Sequence, residues 1–199
     1  MLKFLYLQIR LAHRGFLHYR YRQIASIMGH TVFITGGCRS GKSTHALARA
    51  QALGAETVFI ATCRPGDAEM ERRIARHRAE RPAAWRTVEE YGPLADVLRS
   101  ETQRDSAIIL DCLTLYVSNL LVSDMPTGGI IENIREIAEI IAQGAANAIV
   151  VSNEVGWGIV PDNALARDFR DIAGTANQIV AARANEVICM IAGIPMRIK

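Results

Sequence analysis

Cysteine is scarce in this chain, and no two cysteines stand close together: Cys38, Cys63, Cys112 and Cys189 are widely spaced, with no CxxC pair. That excludes the common zinc pattern and the disulfide framework of a small secreted domain, and leaves reduced thiols in a cytoplasmic protein as the expectation. No apolar run approaches the ~20 residues that span a bilayer. Aromatic residues are few, at 6%, which argues against the stacking platforms of single-strand nucleic-acid binders. No internal repeat, linker or low-complexity stretch breaks the sequence. Acids are missing from positions 1–30, which carry Lys3, Arg10, Arg14, Arg20 and Arg22. The formal net charge of +3 therefore misleads, because positions 31–199 hold 18 basic and 20 acidic residues. A basic face for nucleic acid is not expected on this body.

The first thirty residues are basic and partly apolar, as a targeting peptide would be, but they lack a clean apolar core followed by a small-residue cleavage site. The preferred expectation is that translation begins at Met28, because the domain needs nothing upstream of it. What is present in quantity is apolar: 50% of the 199 residues are hydrophobic and 22% charged, enough for one well-buried domain over 31–199. Short apolar runs at Thr31–Thr35, Thr57–Thr62, Ala107–Leu113, Ala148–Gly156 and Glu186–Gly193 read as the strands, or strand beginnings, of a buried sheet. Helical patterns lie between them. Ile130, Ile134, Ile137 and Ile141 fall on one face of the first long one, a face suited to core or interface. Leu165, Phe169, Ile172, Ala176 and Ile179 fall on one face of the second, with Asp162 or Asn163 as N-cap. Strands alternating with helices indicate an α/β fold, a mainly parallel sheet with helices on both faces.

Between the first strand and the first helix lies GGCRSGKS, Gly36 to Ser43, which fits G-x-x-x-x-G-K-[ST]. Its glycines let backbone N–H groups curl around phosphate oxygens at a helix N-terminus. Lys42 is placed to reach the β- and γ-phosphates, and the Ser43 hydroxyl to hold Mg²⁺. Asp111, closing the run AIILD, is the expected carboxylate for the metal's water shell, although an aspartate ending a strand is also a common turn former. The loop predicts a P-loop nucleoside triphosphate site in a RecA-like domain. It does not predict the reaction, since many activities share this cradle.

The segment MERRIARHRAERPAAW, Met70 to Trp85, carries five arginines and one histidine. Met70, Ile74 and His77 are spaced i, i+4, i+7, so the histidine shares the apolar stripe of a helix whose flanks are arginines. Residues alone favour a histidine that packs inward. Imidazole is also a nucleophile near neutral pH. Arg73 and Arg81, four residues to either side, carry guanidinium forks suited to phosphates.

Several segments together resemble one family: FITGGCRSGKSTHA, FIAT, AEMERRIARHRAERPAAWRTVEE, ILDCLTLYVSNLL, VSNEVGWGIVPDNALARDFRDIAGTANQ and the closing AGIPMRIK. In this order they are similar to the bifunctional adenosylcobinamide kinase / adenosylcobinamide-phosphate guanylyltransferase family of cobalamin biosynthesis. The resemblance runs from Thr31 to Lys199 and leaves out residues 1–30. It implies two reactions: transfer of a phosphoryl group from ATP or GTP to the aminopropanol hydroxyl of adenosylcobinamide, and transfer of GMP from GTP to that phosphate with release of pyrophosphate. It implies a GMP-histidine intermediate on His77. It implies nucleotide contacts at Gly36, Gly37, Cys38, Arg39, Ser40, Gly41, Lys42, Ser43, Ala61, Thr62, Cys63, Arg78, Ala79, Glu80, Arg81, Glu89 and Asp111, and a homotrimer.

A carboxylate at Glu89 is suited to guanine's N1–H and amino group, while residues alone make it a solvated acid at a helix start. Cys38 and Cys63 read as small fillers, and His45 as structural. In SNEVGWGIVPDN, Asn153 and Glu154 are placed to meet the acceptor or the magnesium. Trp157 either covers the corrin or serves packing or a subunit contact. Arg167, Arg170 and Asp171 read as a solvated helix face with a surface ion pair. Two other functions stay open: a small-molecule P-loop kinase without guanylyl transfer, and a RecA-like ATPase acting on nucleic acid.

Overall fold

The computed structural model describes residues 29–103 and 106–199; the expectations for positions 1–28, including the start at Met28, lie outside the described residues. Seven strands form one sheet: β1 (Thr31–Gly36), β2 (Thr57–Ala61), β3 (Arg86–Glu89), β4 (Ala107–Asp111), β5 (Asn147–Val151), β6 (Glu186–Ile191) and β7 (Ile194–Arg197). Their spatial order is β3-β2-β4-β5-β1-β6-β7. All neighbours are parallel except β6 and β7, which pair antiparallel. The helices are α1 (Lys42–Leu53), α2 (Ala68–Ala79), α3 (Ala95–Glu101), α4 (Leu113–Val122), α5 (Thr127–Gln143) and α6 (Ala164–Arg183).

Alternation along the strands supplies two cores. Phe33, Val58, Ile60, Ile108, Leu110 and Val150 face α3–α6, with Leu98, Tyr116, Ile134 and Ile172 among the helix residues they join. Val32, Ile34, Phe59, Ile109, Ile149 and Val151 face the other way, onto Ala46 and Ala50 of α1. The expected covering of both faces is present but uneven. Four helices seal one face, while α1 and the segment around Trp85 cover the other, and α2 has no buried residue.

Ile130, Ile134, Ile137 and Ile141 of α5 are all buried, so this stripe belongs to the core. Ile134 is completely buried. Ile134→Ala is expected to cost about 2–5 kcal/mol of stability, the range for a large aliphatic truncated in a packed core. A denaturation midpoint measures it.

Several expectations need correction. The third strand stops at Asp111, not Leu113, because Cys112 is the N-cap of α4 and Leu113 its first helical residue. The fourth and fifth runs begin as strands, as expected, and these end at Val151 and Ile191. Ala192 and Gly193, at φ 51° and 83°, then make the tight turn into β7, the backbone that two-residue hairpins require. Leu165 is 58% exposed and leaves the stripe that Ile172 and Ala176 complete. Of the two N-cap candidates, Asn163 accepts from the Ala166 N–H at 2.7 Å.

Candidate active site at the strand tips

The parallel strands end at one edge, and the loop Gly36–Ser43 rises from the β1 end of it. Gly36 has φ 146°, and a Cβ there would lie 2.4 Å from the Met190 carbonyl oxygen on β6, so only glycine lets the chain turn this close to its neighbour. Gly41, at φ 92°, forms the N-cap of α1, and Arg39 takes φ 54° between them. The loop is held by Ser40 N–H to Gly37 O at 3.4 Å and Gly193 N–H to Ser40 O at 3.0 Å. Lys42 is buried and donates from Nζ to Gly37 O at 2.6 Å. Burial, the largest influence, holds its pKa below the usual lysine range, against the pull of Asp111. Ser40 Oγ is buried with no partner among the described residues, a donor left for an anion in the loop. Cys38 is exposed, which corrects its reading as a filler.

Ser43 Oγ donates to Asp111 Oδ2 at 2.9 Å. β5 lies between β4 and β1, so this bond ties the end of β4 to the start of the helix that follows β1, a strand not its neighbour. The hydroxyl and the carboxylate are the hard oxygen donors a magnesium ion takes, and they already touch. Burial pushes the Asp111 pKa up, opposed first by the Ser43 hydrogen bond and then by His77, Arg81 and Lys42. An aspartate whose folded pKa is raised costs stability above its unfolded pKa, and the cost is relieved as pH falls and the group protonates. Asp111→Asn is therefore expected to raise the melting temperature of the nucleotide-free protein at neutral pH, with the gain shrinking in acid. Thermal melts across pH read this directly.

Helix α2 begins at Asp67, whose side chain accepts from the Met70 N–H at 2.8 Å. Glu69 and Glu71 occupy its first turn and Arg76, His77 and Arg78 its last, matching the helix dipole at both ends. Met70, Ile74 and His77 are its half-buried residues, so the expected stripe is present and His77 lies on its inner side. Cys63 Sγ packs 3.3 Å from Met70 Sδ. Past the helix, Arg81 sets its guanidinium 3.6 Å from the Phe59 ring centroid and donates to Thr87 Oγ1 at 3.3 Å. Its Nε is buried without a partner among the described residues.

Glu89 is the last residue of β3, not a helix-start acid. It forms an ion pair with Arg78 and accepts from the Tyr91 hydroxyl at 3.3 Å. Asp111, Lys42, His77 and Arg81 thus share one electrostatic neighbourhood, with Glu89 and Arg78 at its rim.

Other predicted positions frame this site. Ala61 pairs in register with both Glu89 and Asp111. The Thr62 hydroxyl is fully committed, accepting from the Cys112 N–H and donating to Cys112 O, both at 2.8 Å. Ala79 and Glu80 are exposed at the end of α2. Burial pushes the Cys112 thiol up to about 11, so it is no thiolate nucleophile. His45 is half-buried on α1, where burial lowers its pKa.

Beyond β5, Asn153 donates to Thr114 Oγ1 from its backbone N–H at 2.9 Å and from its side chain at 3.0 Å. Glu154 Oε1 accepts from the Thr35 hydroxyl at 2.6 Å and from Asn177 Nδ2 at 3.1 Å. Thr35, Thr114 and Asn177 were not singled out by sequence. A threonine ending an apolar strand, and an asparagine between Ala176 and Val180 on a buried helix face, were the available signals. Trp157 and Ile159 are 76% and 96% exposed, so Trp157 does not pack into its own core. Arg170 forms a 3.7 Å surface ion pair with Asp171, as expected. Arg167 does something else: it donates to the carbonyls of Pro161 and Asp162, at 3.0 and 2.7 Å, pinning the loop.

The chain matches the family model described as "Cobinamide kinase / cobinamide phosphate guanyltransferase" over residues 32–198. It is 45% identical over 167 residues to the bifunctional adenosylcobalamin biosynthesis protein CobP of Pseudomonas aeruginosa, covering 83% of this chain and 95% of that protein. It is 40% and 38% identical to the bifunctional adenosylcobalamin biosynthesis proteins CobU of Salmonella typhimurium and Escherichia coli. Each of these two alignments covers 84% of this chain and 99% of the relative. Among solved structures, a prototypical ATPase from the type III secretion system of pathogenic bacteria superposes with a TM-score of 0.53 at 15% identity. That match covers 84% of this chain and 54% of the ATPase, about half its length, and it shows the fold alone, a mainly parallel α/β sheet with helices. With the cradle, the strand order and these relatives in agreement, the chain belongs to the cobinamide kinase / cobinamide phosphate guanyltransferase family.

Proposed function

We propose that this protein phosphorylates adenosylcobinamide with ATP or GTP, then moves GMP from GTP onto the new phosphate through His77. The observation that carries the reading is the meeting of two chemistries at one edge of the sheet. A phosphate loop with its serine already bonded to Asp111 lies in the same electrostatic neighbourhood as a histidine on the inner stripe of an arginine-rich helix.

In the first reaction the loop N–H groups and Lys42 hold the β- and γ-phosphates and stabilise the charge that spreads over the transferring group. Ser43 and Asp111 would hold Mg²⁺, which neutralises phosphate charge when bound. In the second reaction an imidazole nitrogen of His77 attacks the α-phosphorus of GTP, the α–β bridging bond breaks and pyrophosphate leaves. A phosphate oxygen of adenosylcobinamide phosphate then attacks the same phosphorus and the imidazole departs, giving adenosyl-GDP-cobinamide. Splitting one hard transfer into two easier ones is the use of a covalent nucleophile. Arg81 and Arg73 are the cations for the phosphates under attack, and Glu89 is the carboxylate for guanine.

Among the described residues no helix is long and apolar enough to cross a membrane, and the four cysteines are free; the cytoplasm is the location proposed for the enzyme. The exposed apolar residues Trp157, Ile159, Val160 and Leu165 support a surface that is covered in use, by the corrin or by a neighbouring subunit of a homotrimer.

Adenosylcobinamide supplied with γ-labelled ATP or GTP, and then with α-labelled GTP, tests the reading. Label entering the corrinoid from both donors is expected. Label from the γ position alone would reduce the protein to a kinase. Nucleotide hydrolysis stimulated by a polynucleotide, with no corrinoid labelled, would make it a RecA-like ATPase.

A further inference from the structure

Phosphoryl transfer to a hydroxyl needs somewhere for the hydroxyl proton to go. Most carboxylates near the strand tips are already committed. Asp111 is bonded to Ser43. Glu89 is paired with Arg78. Glu90 accepts from the backbone N–H groups of Tyr91 and Gly92, at 2.9 and 2.8 Å. Glu154 differs from these three. Its backbone N–H donates to Gly36 O at 3.0 Å, so it abuts the first residue of the phosphate loop. It follows β5, the strand that lies between β4, which ends in Asp111, and β1, which leads into the loop.

Both hydrogen bonds to its carboxylate fall on Oε1, and both come from neutral donors, Thr35 and Asn177. Oε2 has no protein donor, and no cation pairs with the group, among the described residues. The donor side of Asn177 is fixed as well. Its Oδ1 accepts from the buried Ser152 hydroxyl at 2.6 Å, which turns its amide N–H groups toward Asn153 O and Glu154. The result is a half-buried carboxylate with one oxygen clamped and one free, beside the phosphate loop.

We propose that Glu154 is the proton acceptor of the phosphoryl-transfer step. This rests on the kinase reading above. As the acceptor oxygen bonds to the γ-phosphorus, its O–H bond breaks and the proton passes to Glu154 Oε2. The bond from the γ-phosphorus to the β–γ bridging oxygen breaks, and the nucleoside diphosphate leaves. Thr35 and Asn177 are positioning residues that keep Oε2 turned to the acceptor. Guanylyl transfer has no use for this base, because an imidazole lone pair and a phosphate oxygen attack without a proton to lose.

The test compares both half-reactions in Glu154→Gln, whose amide oxygen still accepts from Thr35 and Asn177. The kcat for phosphoryl transfer is expected to fall about 10²–10⁴-fold, the range of general-base catalysis. KM for nucleotide and for adenosylcobinamide should hold, and so should GMP incorporation from GTP without acceptor and transfer onto pre-phosphorylated acceptor. Wild-type kcat for phosphoryl transfer in Glu154→Gln overturns the proposal. So does a parallel loss of both half-reactions in a folded variant, which would make Glu154 structural or a metal-site residue. Glu154→Asp, which keeps the charge but draws it back by one methylene, should show the same selective loss at smaller size. An unchanged ratio of the two activities in that variant also overturns the proposal. Absence of γ-phosphoryl transfer in the wild type would instead refute the kinase reading.

Discussion

His77→Ala is expected to abolish guanylyl transfer, by on the order of 10⁴-fold or more, as when a covalent nucleophile is removed, while phosphoryl transfer to adenosylcobinamide continues near the wild-type rate. The selectivity follows from where His77 sits. It is on α2, a helix with no buried residue, so its truncation leaves the two cores untouched and costs little stability. The phosphate loop, Lys42 and the Ser43–Asp111 pair belong to β1, α1 and β4 and keep their geometry without it. Quantifying both half-reactions in the purified variant checks this. Equal loss of both would mean that His77 holds the site together instead of attacking phosphorus.

Lys42→Ala should behave in the opposite way and depress both transfers. Lys42 is buried and bonded to the loop's own Gly37 carbonyl, so its ammonium is held where β- and γ-phosphates would lie. Charge develops on the γ-phosphoryl group in the first reaction and on departing pyrophosphate in the second. In the proposed mechanism one cation serves both. Losing a preorganised charge stabiliser of this kind costs about 10²–10³-fold in rate, and each half-reaction should fall by at least that much in single-turnover assays. A variant impaired only in phosphoryl transfer would show that the two reactions use different triphosphate sites.

How much of this was legible in the sequence differs from element to element. The cradle was readable because its glycines, lysine and serine answer to phosphate geometry, and the apolar run before it answers to burial on both faces. The α5 stripe was readable for the same kind of reason, since four isoleucines at helical spacing have one place to go. The run AIILDCL was read two residues too long because Leu113 and Leu110 are both buried. An apolar run carries no mark where a buried strand gives way to a buried helix. Helix α4, LTLYVSNLLV, is apolar on nearly every side and shows no stripe to find. Strand β7 has four residues, all exposed and Pro195 among them, the composition of an edge that sequence patterns demote.

At the candidate site, the loop, Asp111 and His77 could be named from residue type and order alone. The clamp around Glu154 could not, because Thr35 and Asn177 are 142 positions apart and meet only when β1, β5 and α6 pack together. The ion pair of Arg78 with Glu89 was hidden similarly, since it needs the register that sets the end of β3 beside Ala61 of β2.

The most direct measurement is the site of guanylylation. The protein, incubated with GTP and magnesium and no acceptor, is denatured, digested and analysed by mass spectrometry alongside His77→Ala. The expected result is one guanylyl group, acid-labile and alkali-stable, on the peptide at His77, and none on the variant. A folded, GTP-binding wild type that carries no guanylyl group, or carries it on another residue, would contradict the role of His77.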